Sequence, residues 1–427
     1  MEPKPSGRKE PTRTWKGRSM PHSSSTGDTR PMTRRRTLAV IGAALTVGTV
    51  VATGAGAQAL TGDASPAHRA VSGHPVMRTL TPQVRAQLDR AVQHVLKTTH
   101  TPGVTVGLWA PGKGSYVKAF GTADTATNAP MSPGFNMRVG SVTKTFTVTA
   151  LLRLVDHQQV SLDDPISKYV HGVPNGHHIT LRHLAEMRSG LFNYLLDDDF
   201  VREYEADPHR VFTTKEMLAY SFKHPVAFPA GSQFNYSNTN TVLLARVVQK
   251  VTGKPFDRYL AQHVLRPAHL THTFMPTGAE FPAPHAHGYT NQTADDSVAD
   301  ATDWNPPGGP SGVMISTLHD LRSWASTLAE GTLLSKATQA ERLTMKPTGK
   351  KGVGYGLGVF NNHGWIGHNG SLPGYQTVMV YLPKVKATLV VHTTSDIAVK
   401  DKALSTKFAQ AITGIVTPKN VYDIPTS

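Results

Sequence analysis

Apolar residues recur at three- and four-residue intervals through Val84, Leu88, Ala91, Val92, Val95 and Leu96, behind a Thr81-Pro82 helix start. The period then changes to two. Val104–Trp109 and Tyr116–Phe120 alternate like strands and are joined by a Pro-Gly-Lys-Gly turn, which predicts a hairpin. The helical period returns in Phe146, Val148, Ala150, Leu151, Leu154 and Val155. From about 150 to 330 helical patterns dominate: Thr180–Met187, Thr239–Val251 with a stop at Gly253 and Pro255, Phe256–Leu265 and Leu318–Leu328. Between them, residues 276–312 are dense in Pro, Gly, Asp and His and read as long loops. The last hundred residues return to strands at Tyr355–Phe360, Trp365–His368, Gln376–Leu382 and Ala387–Thr394. Pro383–Lys386 makes the last pair a hairpin, and Lys402–Ile412 is a closing helix. There is no internal repeat.

This order predicts an α+β fold. Strands from both ends of the chain form one antiparallel sheet, flanked by the terminal helices, and a mostly helical lobe (about 150–330) is inserted between the sheet segments. Residues 79–415 then make a single domain, and the helix carrying Phe146 to Val155 enters a cleft between sheet and lobe, where ligand sites often lie.

Composition changes the picture at the N-terminus. Residues 1–31 are polar, basic and rich in Ser, Thr, Pro and Arg, and read as a disordered extension. Arg34-Arg35-Arg36 then precedes an uncharged stretch from Thr37 to Gly62 containing Ala57-Gln58-Ala59. A basic segment, an apolar segment and a small-residue site make residues 32–59 a twin-arginine-type export signal, with 60–78 as linker. Met32 is an alternative start, and an uncleaved membrane anchor is the rival reading. The expected location is secreted or cell-envelope.

The chain carries 44 basic and 29 acidic residues, net +15, and the first 59 residues hold 10 basic and 3 acidic. The remainder has no basic run interleaved with aromatics, so nucleic acid is not an expected partner. Its modest positive charge suits association with an anionic cell wall. The absence of cysteine excludes disulfides, thiol catalysis and thiolate-held metals. His285-Ala-His287 has no third ligand nearby and reads as surface, so no metal is expected.

Three short motifs carry candidate chemistry. In Ser141-Val-Thr-Lys144, a serine and a lysine three apart share one helix face, so the amine can either help remove the proton that makes serine a poor nucleophile or hold the positive charge that favours the alkoxide. Ser6…Lys9 and Ser115…Lys118 have the same spacing, but neither opens a helix. Ser141 is also a favoured N-cap residue type. In Tyr236-Ser-Asn238, the tyrosine is a candidate general base if cations lower its pKa, and Asn238 can orient Lys144 or a substrate amide. Tyr289-Thr-Asn291 is a decoy of that form. In His368-Asn369-Gly370-Ser371, His368 offers a cationic or hydrogen-bonding group and Gly370 leaves room for substrate at the strand edge. The Ser371 and Ser141 amides are a candidate oxyanion hole. Lys350-Lys-Gly352 is the corresponding decoy.

Taken in order, the three motifs resemble the signature of penicillin-recognising serine enzymes, on the branch of class C β-lactamases, DD-carboxypeptidases and related esterases. Further similar blocks are Phe135–Lys144, Leu181–Leu184, Ser189–Leu191, Tyr236–Asn240, Gly312–Ser316 and Tyr355–Gly358, over roughly residues 80 to 415. The resemblance implies Ser141 as acylated nucleophile, Lys144 as its partner and Tyr236 as general acid/base. It implies Asn238, His368, Asn369, Gly370 and Ser371 as substrate-binding positions, no cofactor, and a monomer acting on D-Ala-D-Ala peptides and β-lactams. Two departures stand out. The third motif is His-Asn-Gly rather than Lys-Thr-Gly, and Gly358-Val-Phe-Asn-Asn362 lacks the arginine that holds a terminal carboxylate in DD-carboxypeptidases. An esterase, a D-amino-acid amidase, a β-lactamase and a non-catalytic penicillin-binding protein are the alternatives.

Overall fold

The computed structural model describes residues 76–400 and 402–424. The expected N-terminal extension, the expected export signal and nearly all of the expected linker lie outside them.

Helix α1 (Pro82–Thr99) starts where the Thr81 hydroxyl accepts from the Val84 amide and ends on left-handed His100. It leads into the hairpin β1 (Gly103–Ala110) and β2 (Gly114–Asp124), followed by the short β3 (Ala129–Pro130). Strand β4 (Met137–Arg138) runs through one 3₁₀ turn, Gly140–Val142, into α2 (Thr143–Asp156). The helical lobe holds α3 (Leu181–Ala185), α4 (Asp198–Ala206), α5 (Thr214–Phe222), α6 (Asn238–Thr252) and α7 (Phe256–Leu260), the last extended by a π-turn. In the loops that follow, β5 (Tyr289–Thr290) pairs with β6 (Ala299–Asp300), and β7 (Ile315–Ser316) returns to pair with β4. Next come α8 (Leu318–Glu330), α9 (Lys336–Arg342), β8 (Lys346–Pro347), β9 (Val353–Tyr355) and β10 (Phe360–Asn362). Strands β11 (Trp365–Leu372), β12 (Tyr375–Leu382) and β13 (Ala387–Thr393) precede the closing α10 (Leu404–Val416).

The expected sheet is present: nine antiparallel strands in the order β3-β2-β1-β13-β12-β11-β10-β9-β8, joining the two ends of the chain. Strands β12 and β13 are buried throughout. Their side chains therefore alternate between two apolar cores rather than between core and water. Val378, Val380, Leu389 and Val391 pack with Leu88 and Val92 of α1 and Phe408 and Ile412 of α10. Met379, Tyr381 and Val390 face the larger core, which also contains α2, α6 and α8.

Several expectations need correction. The strand expected over Tyr355–Phe360 is two short strands, because Gly358 has φ +71° and the Gly356 amide bonds the Val359 carbonyl at 2.9 Å. The helix expected to reach Met187 stops at Ala185, since Met187 itself is left-handed at φ +58°. Helix α8 packs on the sheet against β1, β12 and β13, so the lobe is smaller than the 150–330 expectation. Helices α4, α5 and α9 were not anticipated. Thr213 and Glu216 form a reciprocal capping box at the start of α5, a spacing readable in the sequence.

Candidate active site

The site begins where two backbones press together. Gly140 has φ +54°, and a Cβ there would sit 2.6 Å from the Ser371 nitrogen. A Cβ on Gly370 would sit 2.0 Å from the Val139 carbonyl oxygen and 2.8 Å from the Ser141 nitrogen. Only glycine fits either position. The expected purpose of Gly370 is thereby corrected: its missing side chain admits the 139–141 backbone, not substrate. This contact brings the Ser141 and Ser371 amides side by side. β10 pairs with β11 only as far as Gly367, so the 368–372 edge has no strand partner among the described residues.

Ser141 is not the N-cap of α2. It lies in the 3₁₀ turn, the helix has no side-chain cap, and Ser141 Oγ is engaged by Lys144 instead. Ser141 is 2% exposed and Lys144 fully buried. Lys144 Nζ lies 2.9 Å from Ser141 Oγ, 2.6 Å from Asn238 Oδ1 and 2.7 Å from the Ser311 carbonyl oxygen. Burial alone pushes the amine well below the usual lysine range, with no carboxylate acting on it. A neutral amine has two N–H donors and one lone pair. Asn238 Oδ1 and the Ser311 carbonyl are acceptors only, so they take both donors. The lone pair is left for the Ser141 hydroxyl, the one partner that can donate.

Tyr236 enters from the loop ahead of α6, with Lys144 Nζ 4.9 Å from its ring centroid. Burial pushes its phenol well above the usual range, and the Ser141 hydroxyl only partly offsets the rise. The two hydroxyls do not meet hydrogen-bond geometry, so Tyr236 Oη is buried without a partner. The expectation of a tyrosine base with a lowered pKa is therefore reversed. Burial without a compensating charge favours the protonated phenol and the neutral amine.

His368 is likewise not cationic. Burial, and next the Lys144 amine, lower its ring pKa to about 3. His368 Nδ1 lies 2.5 Å from the Asn369 carbonyl oxygen, which requires the proton on Nδ1. Nε2 then accepts from the Tyr355 hydroxyl at 3.3 Å. Both ring nitrogens are used within the protein, and the ring packs against Phe360 with centroids 4.9 Å apart. Asn369 contributes that carbonyl; its register partner Val378 belongs to the core under the terminal helices, on the opposite face from Ser141. Ser371 Oγ, like Tyr236 Oη, is buried without a partner.

The structure thus gathers Ser141, Lys144, Tyr236, Asn238, His368, Gly370 and Ser371, and separates only the Asn369 side chain. Sequence reading missed Ser311, Asn193 and Tyr355. Ser311 acts through a backbone carbonyl, which carries no residue-type signal, although it sits in the glycine-rich run Gly308–Gly312. Asn193 follows Ser189-Gly-Leu191, and Tyr355 opens another of the family-like blocks. His287 bonds Asp300 at 2.6 Å and His285 stacks on Phe281. Among the described residues no group of three His, Asp or Glu could hold a metal.

Chemically, a hydroxyl donating to a neutral amine, beside a protonated phenol and two adjacent backbone amides, can attack a carbonyl and pass a proton to the leaving group.

The "Beta-lactamase" family model matches residues 88–412. A D-stereospecific amidohydrolase from Streptomyces sp. is similar at 28% identity, covering 76% of this chain and 97% of its own, with a TM-score of 0.68. The D-amino acid amidase from Ochrobactrum anthropi SV3, solved with D-phenylalanine, is 26% identical over 77% of this chain and 98% of its own, with a TM-score of 0.67. Protein flp of Staphylococcus aureus (strain N315) is 26% identical over 322 residues, 73% of this chain; the chain spans 63% of that relative's length. The motifs, the architecture and the family match agree, and the chain belongs to the β-lactamase family.

Proposed function

We propose that this chain is a serine hydrolase that cleaves amides of D-amino acids through a Ser141 acyl-enzyme. The observation that carries this reading is the Lys144 environment: two obligate acceptors and one hydroxyl around a buried amine. Lys144 takes the Ser141 proton as Oγ bonds to the substrate carbonyl carbon. The Ser141 and Ser371 amides face the developing oxyanion. The Tyr236 phenol gives its proton to the leaving amine and recovers one from Lys144, which returns the amine to its neutral form. Water then repeats the sequence on the acyl-enzyme and releases the acid.

The leaving-group side argues for a neutral substrate. Among the described residues no cationic side chain other than the buried Lys144 amine acts on the His368 ring, and Phe360 lies against that ring on a segment without arginine. A D-Ala-D-Ala carboxypeptidase, the leading expectation from the sequence, needs a cation for the terminal carboxylate. An amide or ester has no such charge. The similarity to two D-specific amidohydrolases supports the same preference.

The test compares hydrolysis of D-phenylalanine amide, L-phenylalanine amide and a D-Ala-D-Ala peptide, with Ser141→Ala as control. Cleavage of the D-amide ahead of both others is expected. A clear preference for the D-Ala-D-Ala peptide would return the assignment to carboxypeptidase, and a stable penicillin adduct without amide turnover would make it a penicillin-binding protein. We also propose export on the strength of Arg34–Arg36 and Ala57–Ala59. N-terminal sequencing of the protein from culture medium tests it, and recovery only of uncleaved protein from cells would overturn it.

A further inference from the structure

We infer that Asn193 is the positioning residue that sets the direction of proton transfer between Ser141 and Lys144, by locking the Asn238 amide in one of its two orientations. The inference rests on the Ser141 acyl-enzyme proposed above but not on the choice of substrate.

An asparagine amide has an acceptor end and a donor end of nearly the same shape, and its orientation follows from its neighbours. Asn193 Oδ1 accepts from Asn238 Nδ2 at 3.1 Å and from the Asn238 backbone amide at 3.3 Å. Two donors converge on one oxygen, so Asn193 must present its oxygen there. Asn238 must in turn give its Nδ2 to that oxygen. Its Oδ1 is then directed at Lys144 Nζ, 2.6 Å away.

The consequence reaches the nucleophile. With Asn238 Oδ1 and the Ser311 carbonyl both requiring a donor, Lys144 spends its two N–H groups on them. Its lone pair has one remaining direction, toward Ser141 Oγ at 2.9 Å. With Asn238 reversed, Nδ2 would donate to Lys144 and compete with the Ser141 hydroxyl for the same lone pair. The amine would then be a poorer base toward Ser141.

Asn193 suits this role because its own place is fixed. It is 8% exposed and precedes the Tyr194–Leu196 turn, which the Tyr194 amide ties to Thr239 Oγ1 at 3.4 Å and the Tyr194 hydroxyl ties to the Pro307 carbonyl at 2.9 Å. The other titratable groups facing Lys144 are Tyr236, from the loop ahead of α6, and His368, from β11. Neither contacts Asn193 through a side-chain hydrogen bond among the described residues, so a change at Asn193 reaches Lys144 through Asn238.

The experiment measures the acylation burst with p-nitrophenyl acetate, and kcat/KM against pH, for wild type, Asn193→Ala and Asn193→Asp, with thermal unfolding alongside. Asn193→Ala frees Asn238 to turn, so acylation should fall about 10- to 100-fold, the range expected when a buried partner is removed. Its acid limb should move to lower pH, because an acceptor that favoured the ammonium is gone. Asn193→Asp keeps an acceptor and so keeps Asn238 in place. Its negative charge favours the Lys144 ammonium, so the acid limb should move up while the rate above that limb stays within about threefold of wild type. A role limited to packing predicts slower variants with an unmoved acid limb. The inference is overturned if both variants keep the wild-type limb, or if Asn193→Asp is as slow as Asn193→Ala at every pH while both remain folded. Failure of the D-amide assignment would look different: wild type would cleave the ester and leave D-phenylalanine amide intact, and the Asn193 comparison could still be read.

Discussion

Helices α1 and α2 are of similar length and meet the same sheet from opposite sides, yet they are built on different rules. α1 buries four of its 18 residues, in one stripe under the terminal layer. α2 buries eleven of its 14, on every side. A helix buried all round cannot rely on a polar face to hold its polar residues, so each one needs its own partner. Thr143 Oγ1 bonds the Gly140 carbonyl and accepts from the Met314 amide. Thr145 accepts from Trp324 Nε1 at 2.8 Å, Thr147 donates to the Pro310 carbonyl, and Thr149 accepts from Arg342 Nη2 at 2.6 Å. Lys144 alone among them is ionisable, and its burial disfavours the charged form. The apolar stripe of α1 contributes stability, whereas the tethers of α2 hold one amine and one hydroxyl in register.

The sharpest way to break this contrast is at Ser141. Ser141→Ala should lower turnover by about 10⁴-fold or more, the scale of losing a nucleophile, with almost no change in unfolding midpoint. Residual activity within tenfold of wild type would show that another group attacks the substrate. The opposite experiment is Leu88→Ala in α1, at a fully buried position. It should cost about 2–5 kcal/mol of stability by urea unfolding and leave the kcat/KM pH profile superimposable on wild type. A displaced profile would mean the two layers are coupled. Thr149→Val lies between these extremes. It removes the Arg342 partner, so a loss of about 1–3 kcal/mol is expected, with activity retained because Ser141 is two turns away. A large loss of activity at full stability would contradict the role given to Thr149.

The same contrast explains what was legible in the sequence. The α1 stripe follows from apolar period because it answers to one core face, whereas the β1–β2 hairpin and the closing strands follow from short apolar runs set off by turn residues. The Ser115…Lys118 decoy was also resolvable, and Lys118 indeed pairs with Asp89 at 2.8 Å, away from any serine. The three motifs name Ser141, Lys144, Tyr236 and Asn238, which the fold brings to one place. The protonation states were not legible, because the downward shift of the Lys144 amine and the upward shift of the Tyr236 phenol follow from burial, which the motifs do not encode. The true reason for Gly370 was hidden as well, since it lies in the backbone of residues 139–141, more than 200 positions earlier in the chain. The Ser311 carbonyl illustrates the same limit: any residue type could supply it.

The smallest effect concerns a second buried histidine on the Ser141 side of the sheet. His392 lies beside Thr377, its Nδ1 3.0 Å from that hydroxyl, while Nε2 has no partner. Thr377 pairs in turn with Gly370, so His392 stands in the row that supports the third motif. Burial lowers its pKa to about 3, as it does for His368. An unfolded chain protonates both rings near pH 6.5, whereas the folded protein does so only near pH 3. Between those limits the unfolded state binds more protons, so stability falls as pH falls, by about 1.4 kcal/mol per pH unit for each ring. His392→Gln keeps a polar partner for Thr377 but removes one titrating group. Between pH 6 and pH 4 the variant should therefore lose stability about 1.4 kcal/mol per unit less steeply than wild type. Its activity profile should be unmoved, because His392 does not touch Ser141, Lys144 or Tyr236. Parallel stability curves for the two proteins would mean that His392 is not held neutral in the fold. The support for the catalytic strand would then be more open to water than its complete burial implies.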